Sequence, residues 1–491
     1  MRTQQQRPFV NTLPDDDAHP YRSGAWRPQD TEYDAWDLDV IGEIPRELNG
    51  VYLRNTENPL MDSIGRYHPF DGDGMLHSIS FDDGDAIYRN RFVRTSGLIA
   101  EQTSGKPLWP GLAEPPAKAV ADHGWGARTF LKDSSSTDVI VHRGVALTSF
   151  YQCGDLYRLD PVTLEHDGIE SWGGKFPTEG VSAHTKVDEA TGEMLFFNYS
   201  TDAPFMKYGV VDASGELAHY TDIPLPGPRL PHDMAFTENY AILNDFPLFW
   251  DDEAMAAGYY VPRFHAEIPS RLAVVPRRGN SDQILWFETD PTFVLHWINA
   301  YEAGDEIVLD GFFEEQPAPA PEPGDDLETM MFRYLDMHRM RPRAHRWRLN
   351  LRTGTATEEH LSDRTMEFGM INATFGGRPY RYSYNALPTV GWFGFEGIVK
   401  HDVESGVEST FQLPDGVYNS ETVMAPRPGA TAEDDGWLVT FTSDINNDES
   451  RCLIFDAQDP SVGPVASVGL PERIASGTHA TWADASALTQ P

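Results

Sequence analysis

Four of the sixteen histidines stand in a setting unlike the rest. His184 lies in Ser182-Ala-His-Thr-Lys-Val187, His232 in Leu230-Pro-His-Asp-Met-Ala235, His296 in Phe293-Val-Leu-His-Trp-Ile-Asn-Ala300 and His479 in Gly477-Thr-His-Ala-Thr-Trp482. Small and apolar neighbours predict burial, and a buried imidazole needs a partner, either a hydrogen-bonding group or a metal ion. Their spacing matches no local or helical metal motif, so for each one singly a hydrogen-bonded place in the core fits as well. His19, His142, His166, His219, His345, His360 and His401 lie beside turns or in polar strands and read as solvated. His68 and His77 read as structural, and His265 and His338 take no role.

The elements that must position these residues are strands. Short runs rich in β-branched and aromatic residues recur along the chain: Gly50-Val-Tyr-Leu-Arg54, Val139-Ile-Val-His142, Glu193-Met-Leu-Phe-Phe-Asn-Tyr199, Glu306-Ile-Val-Leu309 and Trp437-Leu-Val-Thr-Phe441 among them. Between such runs a turn repeats, with an Asx residue ahead of a glycine, as in Asp82-Asp-Gly84, Asp188-Glu-Ala-Thr-Gly192, Asp212-Ala-Ser-Gly215, Asn350-Leu-Arg-Thr-Gly354 and Asp402-Val-Glu-Ser-Gly406. Repeated hairpins suggest a β-propeller, while a pair of β-sandwiches accounts for the composition as well. In a propeller the innermost strands of successive blades converge on one axis, where distant histidines can meet. Helical periodicity is scarce, with candidates at 251–258 and 326–339. Residues 1–30 read as an N-terminal arm and 31–491 as one domain, with the proline-rich Gln316 to Asp326 segment as a stiff loop.

Composition excludes several classes of function. The 491 residues carry 38 Lys+Arg against 76 Asp+Glu, a formal net charge of −38, which repels a nucleic-acid backbone and anionic lipid. Two cysteines, Cys153 and Cys452, are too few for a disulfide framework or a thiolate metal cage and fit a reducing cytoplasm. The N-terminus lacks the apolar stretch of a signal peptide, and no apolar run is long enough to span a bilayer. Neither a Gly-x-Ser-x-Gly elbow nor a Cys-His nucleophile pattern supports a hydrolase. No obligate protein partner is evident.

Longer stretches resemble the carotenoid cleavage oxygenases, the family that includes apocarotenoid oxygenases and lignostilbene-type dioxygenases. The resemblance runs from about Asp37 to Trp482. It rests on Asn49-Gly-Val-Tyr-Leu-Arg-Asn55, Tyr67-His-Pro-Phe-Asp-Gly-Asp-Gly-Met75, Tyr88-Arg-Asn-Arg-Phe-Val-Arg-Thr95, Ala183-His-Thr-Lys-Val-Asp188, Pro231-His-Asp-Met-Ala235, His296-Trp-Ile-Asn-Ala-Tyr-Glu302 and Ala425-Pro-Arg-Pro-Gly429 followed by Asp434-Asp-Gly-Trp437.

The resemblance implies an all-β, seven-bladed β-propeller with helical and loop insertions capping one face. It implies one Fe(II) held by His184, His232, His296 and His479, and O2 as co-substrate. Carboxylates that fix the imidazoles match at Glu367 and Glu421, while Gln152 stands where many members have the third, beside His232 or a neighbour. Tyr151 stands where lignostilbene-type enzymes carry a lysine that meets the substrate phenol. The implied reaction is oxidative cleavage of a conjugated C=C bond of an apocarotenoid or carotenoid to two carbonyl products. One alternative is the same chemistry on a stilbene or phenylpropenoid, and another is a non-catalytic propeller binding a hydrophobic ligand. An apolar substrate calls for a tunnel, for which Phe150, Tyr151, Phe293, Trp297 and Phe375 are candidates. Phe246 to Trp250 with Ala254 to Tyr260 is the candidate entrance patch, through which transient contact with a membrane surface would pass substrate.

Overall fold

The computed structural model describes residues 1–5, 8–120, 131–250 and 262–488. The chain divides into two compact units, one of Met1–Ala183 and Pro414–Pro491 and the other of His184–Asp252 and Val261–Leu413. The helix expected at 251–258 and the Ala254 to Tyr260 half of the entrance patch fall outside the described residues.

The second unit holds four antiparallel sets of four strands, each set built from strands that follow one another in the chain, and the two-stranded pair of Leu248–Trp250 with Pro262–Phe264. The first runs Lys186–Asp188, Glu193–Tyr199, Phe205–Val211 and Leu217–Pro224. The second runs Ala235–Phe236, Tyr240–Asp245, Ser270–Pro276 and Leu285–Thr289. The third runs Trp297–Ala303, Glu306–Glu314, Pro342–Asn350 and Thr355–Thr365, and the fourth Glu367–Met370, Tyr382–Pro388, Phe395–Asp402 and Val407–Gln412. Three of the expected Asx–Gly turns close hairpins here in one geometry: Gly192, Gly354 and Gly406 take φ of 70°, 70° and 71° and donate their N–H to the carbonyls of Asp188, Asn350 and Asp402. Between sheets the buried faces interdigitate, with Phe246, Phe293, Trp297, Leu309 and Trp347 in one cluster and Leu195, Phe197, Tyr208, Leu243 and Val275 in the next.

The first unit holds the other three sheets. Asp138–His142, Val145–Ser149, Tyr157–Leu159 and His166–Ile169 form one, and Val423–Pro426, Gly436–Asp444, Glu449–Asp456 and Ala466–Gly469 a second. The third joins both ends of the chain, because Ala480–Asp484 pairs with Gly50–Arg54, next to Asp73–Asp82 and Asp85–Phe92. Near the N-terminus Arg2–Gln5 pairs with Tyr33–Trp36, so part of the expected arm is an edge strand. These sheets and the four of the second unit are the seven blades of a β-propeller.

Helices are few. The stretch expected as one helix at 326–339 is two short ones, Leu327–Phe332 capped by Asp326 and Met337–Met340 capped by Asp336. Ser96–Ser104 is a helix that the apolar pattern does not announce; Thr95 caps its start and Gly105 ends it at φ 67°. Among the described residues no helix is long and apolar enough to cross a membrane.

Three histidines expected at the solvent are buried. His142, His345 and His401 are 7%, 4% and 0% exposed, because neighbouring strands cover the sheet faces on which they lie. Phe246 and Leu248, expected at an exposed entrance, are core residues for the same reason.

Candidate metal centre

Each of the four singled-out histidines sits just ahead of the first strand of its sheet. His184 precedes Lys186–Asp188, His232 precedes Ala235–Phe236, His296 precedes Trp297–Ala303 and His479 precedes Ala480–Asp484. The first strand of a propeller blade is its innermost, so this shared position explains how residues far apart in sequence come to one place. His184 holds φ at 62°, a left-handed value that a non-glycine residue keeps only when its surroundings impose it.

In the second unit three imidazoles converge. His184 Nε2 and His232 Nε2 are 3.1 Å apart, and the ring centroids of His184, His232 and His296 are 4.7, 5.1 and 5.2 Å from one another. One nitrogen from each lies within 4.8 Å of the others. His184 and His296 are buried and His232 is half-buried.

His296 is oriented by a carboxylate. Its Nδ1 lies 2.7 Å from Glu367 Oε2, which also accepts the backbone N–H of Phe368, and this leaves Nε2 for the neighbouring histidines. The Phe368 ring stands edge-on to the imidazole at 4.5 Å. Glu367 is fully buried at the start of the fourth sheet.

A residue that sequence reasoning missed ties the three histidine segments together. Asp233, 1% exposed, pairs through Oδ1 with Lys186 Nζ at 2.7 Å and accepts the Trp297 N–H through Oδ2 at 2.8 Å. Its Oδ1 also takes the Met234 N–H, and Asn244 donates to its carbonyl. Lys186, Asp233 and Trp297 stand two, one and one residues after His184, His232 and His296, so this carboxylate holds the three strand starts in fixed relation. Burial pushes its pKa up, opposed chiefly by Lys186. The buried aspartate directly after a histidine was the available signal.

In the first unit His479 has its own carboxylate. His479 Nδ1 lies 3.3 Å from Glu421 Oε1, and Glu421 Oε2 accepts the Ala480 N–H at 2.6 Å. As around His296, one carboxylate reaches both an imidazole Nδ1 and a backbone N–H, here that of the residue after the histidine and there that of Phe368, the residue after the carboxylate. Burial disfavours charge on His479, but the Glu421 carboxylate outweighs it, and the imidazole pKa stands above its ordinary value. Nearby, burial raises Glu57 to about 8, and its Oε2 has no hydrogen-bond partner among the described residues.

Over residues 26–484 the sequence matches the family described as retinal pigment epithelial membrane protein, RPE65. The chain belongs to this family, that of the carotenoid cleavage oxygenases. It is 32% identical to a carotenoid 9,10(9',10')-cleavage dioxygenase of Crocus sativus, over 90% of this chain and 85% of that one. Identity to apocarotenoid-15,15'-oxygenase of Synechocystis sp. is also 32%, over 93% of this chain and 95% of that one. The crystal structure of a Pseudomonas brassicacearum lignostilbene dioxygenase matches with a TM-score of 0.83 at 25% identity, over 95% of this chain and 99% of the other. The chain is accordingly an enzyme of the dioxygenase type.

For this oxygenase the donor chemistry of the second unit fits a divalent metal. Three imidazoles converge without a carboxylate among them, the donor set that suits a first-row transition metal. Glu367 fixes one ring from outside and adds negative charge near the cluster.

The remaining expected site residues are spread more widely. Gln152, half-buried after the strand Val145–Ser149, makes no side-chain hydrogen bond with a described residue. Phe150 lines a cavity of the first unit, and Tyr151 packs on it at 5.0 Å between centroids. Phe293 and Trp297 are in the core beside Phe246, and Phe375 packs at the edge of another core cluster.

Proposed function

We propose that this protein binds one Fe(II) through His184, His232, His296 and His479 and uses O2 to cleave a conjugated C=C bond of an apocarotenoid or carotenoid. Both oxygen atoms end in the two carbonyl products, so no other oxidant or reductant is consumed. The observation that carries this reading is the convergence of His184, His232 and His296 with Glu367 behind His296. His479 enters as the fourth ligand because Glu421 treats it as Glu367 treats His296. Bound there, iron supplies the O2 chemistry.

The chain's own residues do the rest. Glu367 and Glu421 accept the Nδ1 protons, which fixes the tautomer with Nε2 as the ligand atom and offsets the charge of a divalent ion. Asp233 keeps the three strand starts of the second unit from drifting, which preserves ligand geometry before the metal arrives. With apolar walls around it, such a site holds the alkene and excludes water. Gln152 stands where the family usually has a carboxylate, so one imidazole lacks the charged acceptor that would raise its basicity. Phe150, Tyr151, Phe293 and Phe375 remain the candidates for residues near the substrate path.

A stilbene or phenylpropenoid substrate is the second reading, favoured by the likeness to the lignostilbene dioxygenase structure. Tyr151 in place of the phenol-binding lysine argues for the carotenoid side. A cytoplasmic location belongs to the same reading, since both cysteines are buried free thiols.

The test is anaerobic reconstitution with Fe(II), then oxygen uptake with apocarotenals, carotenoids and hydroxystilbenes while products are weighed under labelled O2. Paired carbonyls from one class, each carrying label, are expected. Iron bound without uptake on any class would overturn the reading.

A further inference from the structure

The third sheet of the second unit carries two histidines that the oxygenase chemistry does not use. His345 lies on Pro342–Asn350 and His360 on the edge strand Thr355–Thr365, and the ladder register sets them directly opposite each other. Partners opposite each other in a ladder share a face of the sheet, so their side chains meet. His345 Nδ1 and His360 Nδ1 are 3.0 Å apart, and the ring centroids are 4.6 Å apart with the planes at 76°.

A carboxylate stands behind the inner ring. Glu358 precedes His360 by two residues and so faces the same way, and its Oε2 lies 3.2 Å from His345 Nε2. Its Oε1 accepts the Asp290 N–H at 3.0 Å. Burial opposes charge on Glu358, but the His345 hydrogen bond and then the Asp290 N–H outweigh it and hold the carboxyl below its ordinary pKa. An ionised carboxylate only accepts, so the His345 proton sits on Nε2 and the lone pair of Nδ1 is turned to His360. Glu367 bears the same relation to His296, with the ring nitrogens exchanged.

One ring is held and the other is open to water. His345 is buried beside Phe313 and Trp347, whose ring centroids lie 4.9 and 4.4 Å from its own, whereas His360 is exposed. Burial first and the neighbouring His345 second keep the His360 pKa below its ordinary value, so the imidazole is neutral at pH ~7 and can offer a lone pair. Arg343, the cation whose charge reaches His360, is matched by Glu315 and Asp363. The separation then selects the ion. Metal–imidazole bonds are about 2.0–2.1 Å long, so nitrogens 3.0 Å apart subtend close to a right angle at a shared ion. A tetrahedral ion would part them to about 3.3–3.4 Å, while neighbouring positions of a square-planar or octahedral ion meet at a right angle.

We infer that His345 and His360 form a second metal site, on the outer strands of the third blade, which takes Ni(II) or Cu(II) through the two Nδ1 atoms. Without metal, His360 Nδ1 donates its hydrogen to His345 Nδ1. On binding, His360 Nδ1 gives that proton to water and the exposed Nε2 takes one from water, so the ring stays neutral and both Nδ1 lone pairs reach the ion. The ion ties the edge strand to its neighbour. This site lies apart from the four histidines singled out above and does not depend on the oxygenase reading.

Metal-free, full-length protein is dialysed against Ni(II) in the micromolar range, and metal per chain is counted by elemental analysis. The native chain is expected to hold one more Ni(II) than His360→Gln at the same free concentration, whatever the other four histidines hold. His360 is exposed on an edge strand, so its replacement keeps the fold, which circular dichroism checks. Equal counts in the two proteins overturn the inference. Glu359→Gln, an exposed change on the opposite face of the same strand, controls for general attraction by an acidic surface. It is expected to keep the extra ion, and a loss there equal to that in His360→Gln also overturns the inference. Competition tests the geometry: the extra site is expected to hold Ni(II) about tenfold more tightly than Zn(II), and the reverse order overturns the assignment.

Discussion

Lys186 and Asp233 form an ion pair of 2.7 Å between the segments that carry His184 and His232. The same carboxylate holds the Trp297 N–H next to His296. A buried carboxylate with these partners acts on the metal site through position, because it touches no imidazole nitrogen in the hydrogen-bond network described. Asp233→Asn keeps an acceptor for Trp297 and weakens the tie to Lys186. The expected outcome is a folded protein whose metal affinity falls about tenfold, measured by competition with a chelator. Unchanged affinity would remove Asp233 from the account of the site.

Glu367 and Glu421 each take a ligand Nδ1 and a backbone N–H. Replacing either by Gln removes a charge and makes the acceptor ambiguous, since an amide also presents N–H. Each single change is expected to lower metal affinity about 10- to 100-fold. Metal content by elemental analysis, paired with far-ultraviolet circular dichroism, separates this from unfolding. Equal metal content in both variants and the native chain would mean that the two carboxylates serve packing only.

Gln152 is the departure from the pattern of the family, and the reverse change tests it. Gln152→Glu is expected to retain iron through dialysis against a chelator about tenfold longer than the native protein. Identical retention would make the glutamine a neutral replacement.

What the sequence made legible follows from the physics of each residue. The four histidines stood out because small and apolar neighbours already announced burial, and the Asx–Gly turns because hairpin closure demands that chemistry. Asp233 stayed hidden, since its partner Trp297 is 64 residues away and a lone aspartate reads as a surface turn. His401 read as solvated because Asp402 and a turn follow it, yet strands on either side pair across it and leave it 0% exposed. Trp297 drew attention as a neighbour of His296. Successive strand residues face opposite ways, however, so the residue beside a site histidine points into the core, against Trp347 at 5.3 Å between centroids.

Glu314 gives a prediction about stability. It is 1% exposed, and neither carboxyl oxygen has a hydrogen-bond partner among the described residues. Burial, and secondarily the nearby Glu367 charge, raise its pKa well above the ordinary value. Below the unfolded pKa both states hold the proton and the group imposes no pH dependence. Above it the unfolded chain releases the proton while the folded chain keeps it, so stability falls as pH rises towards the folded pKa. Glu314→Met fills a similar volume without a polar group. It is expected to stabilise the protein by about 1–3 kcal/mol at pH ~8, with a gap that narrows as pH falls to ~4. Urea unfolding at the two pH values measures this. A variant less stable than the native chain at the higher pH would mean that Glu314 has a partner that offsets its burial.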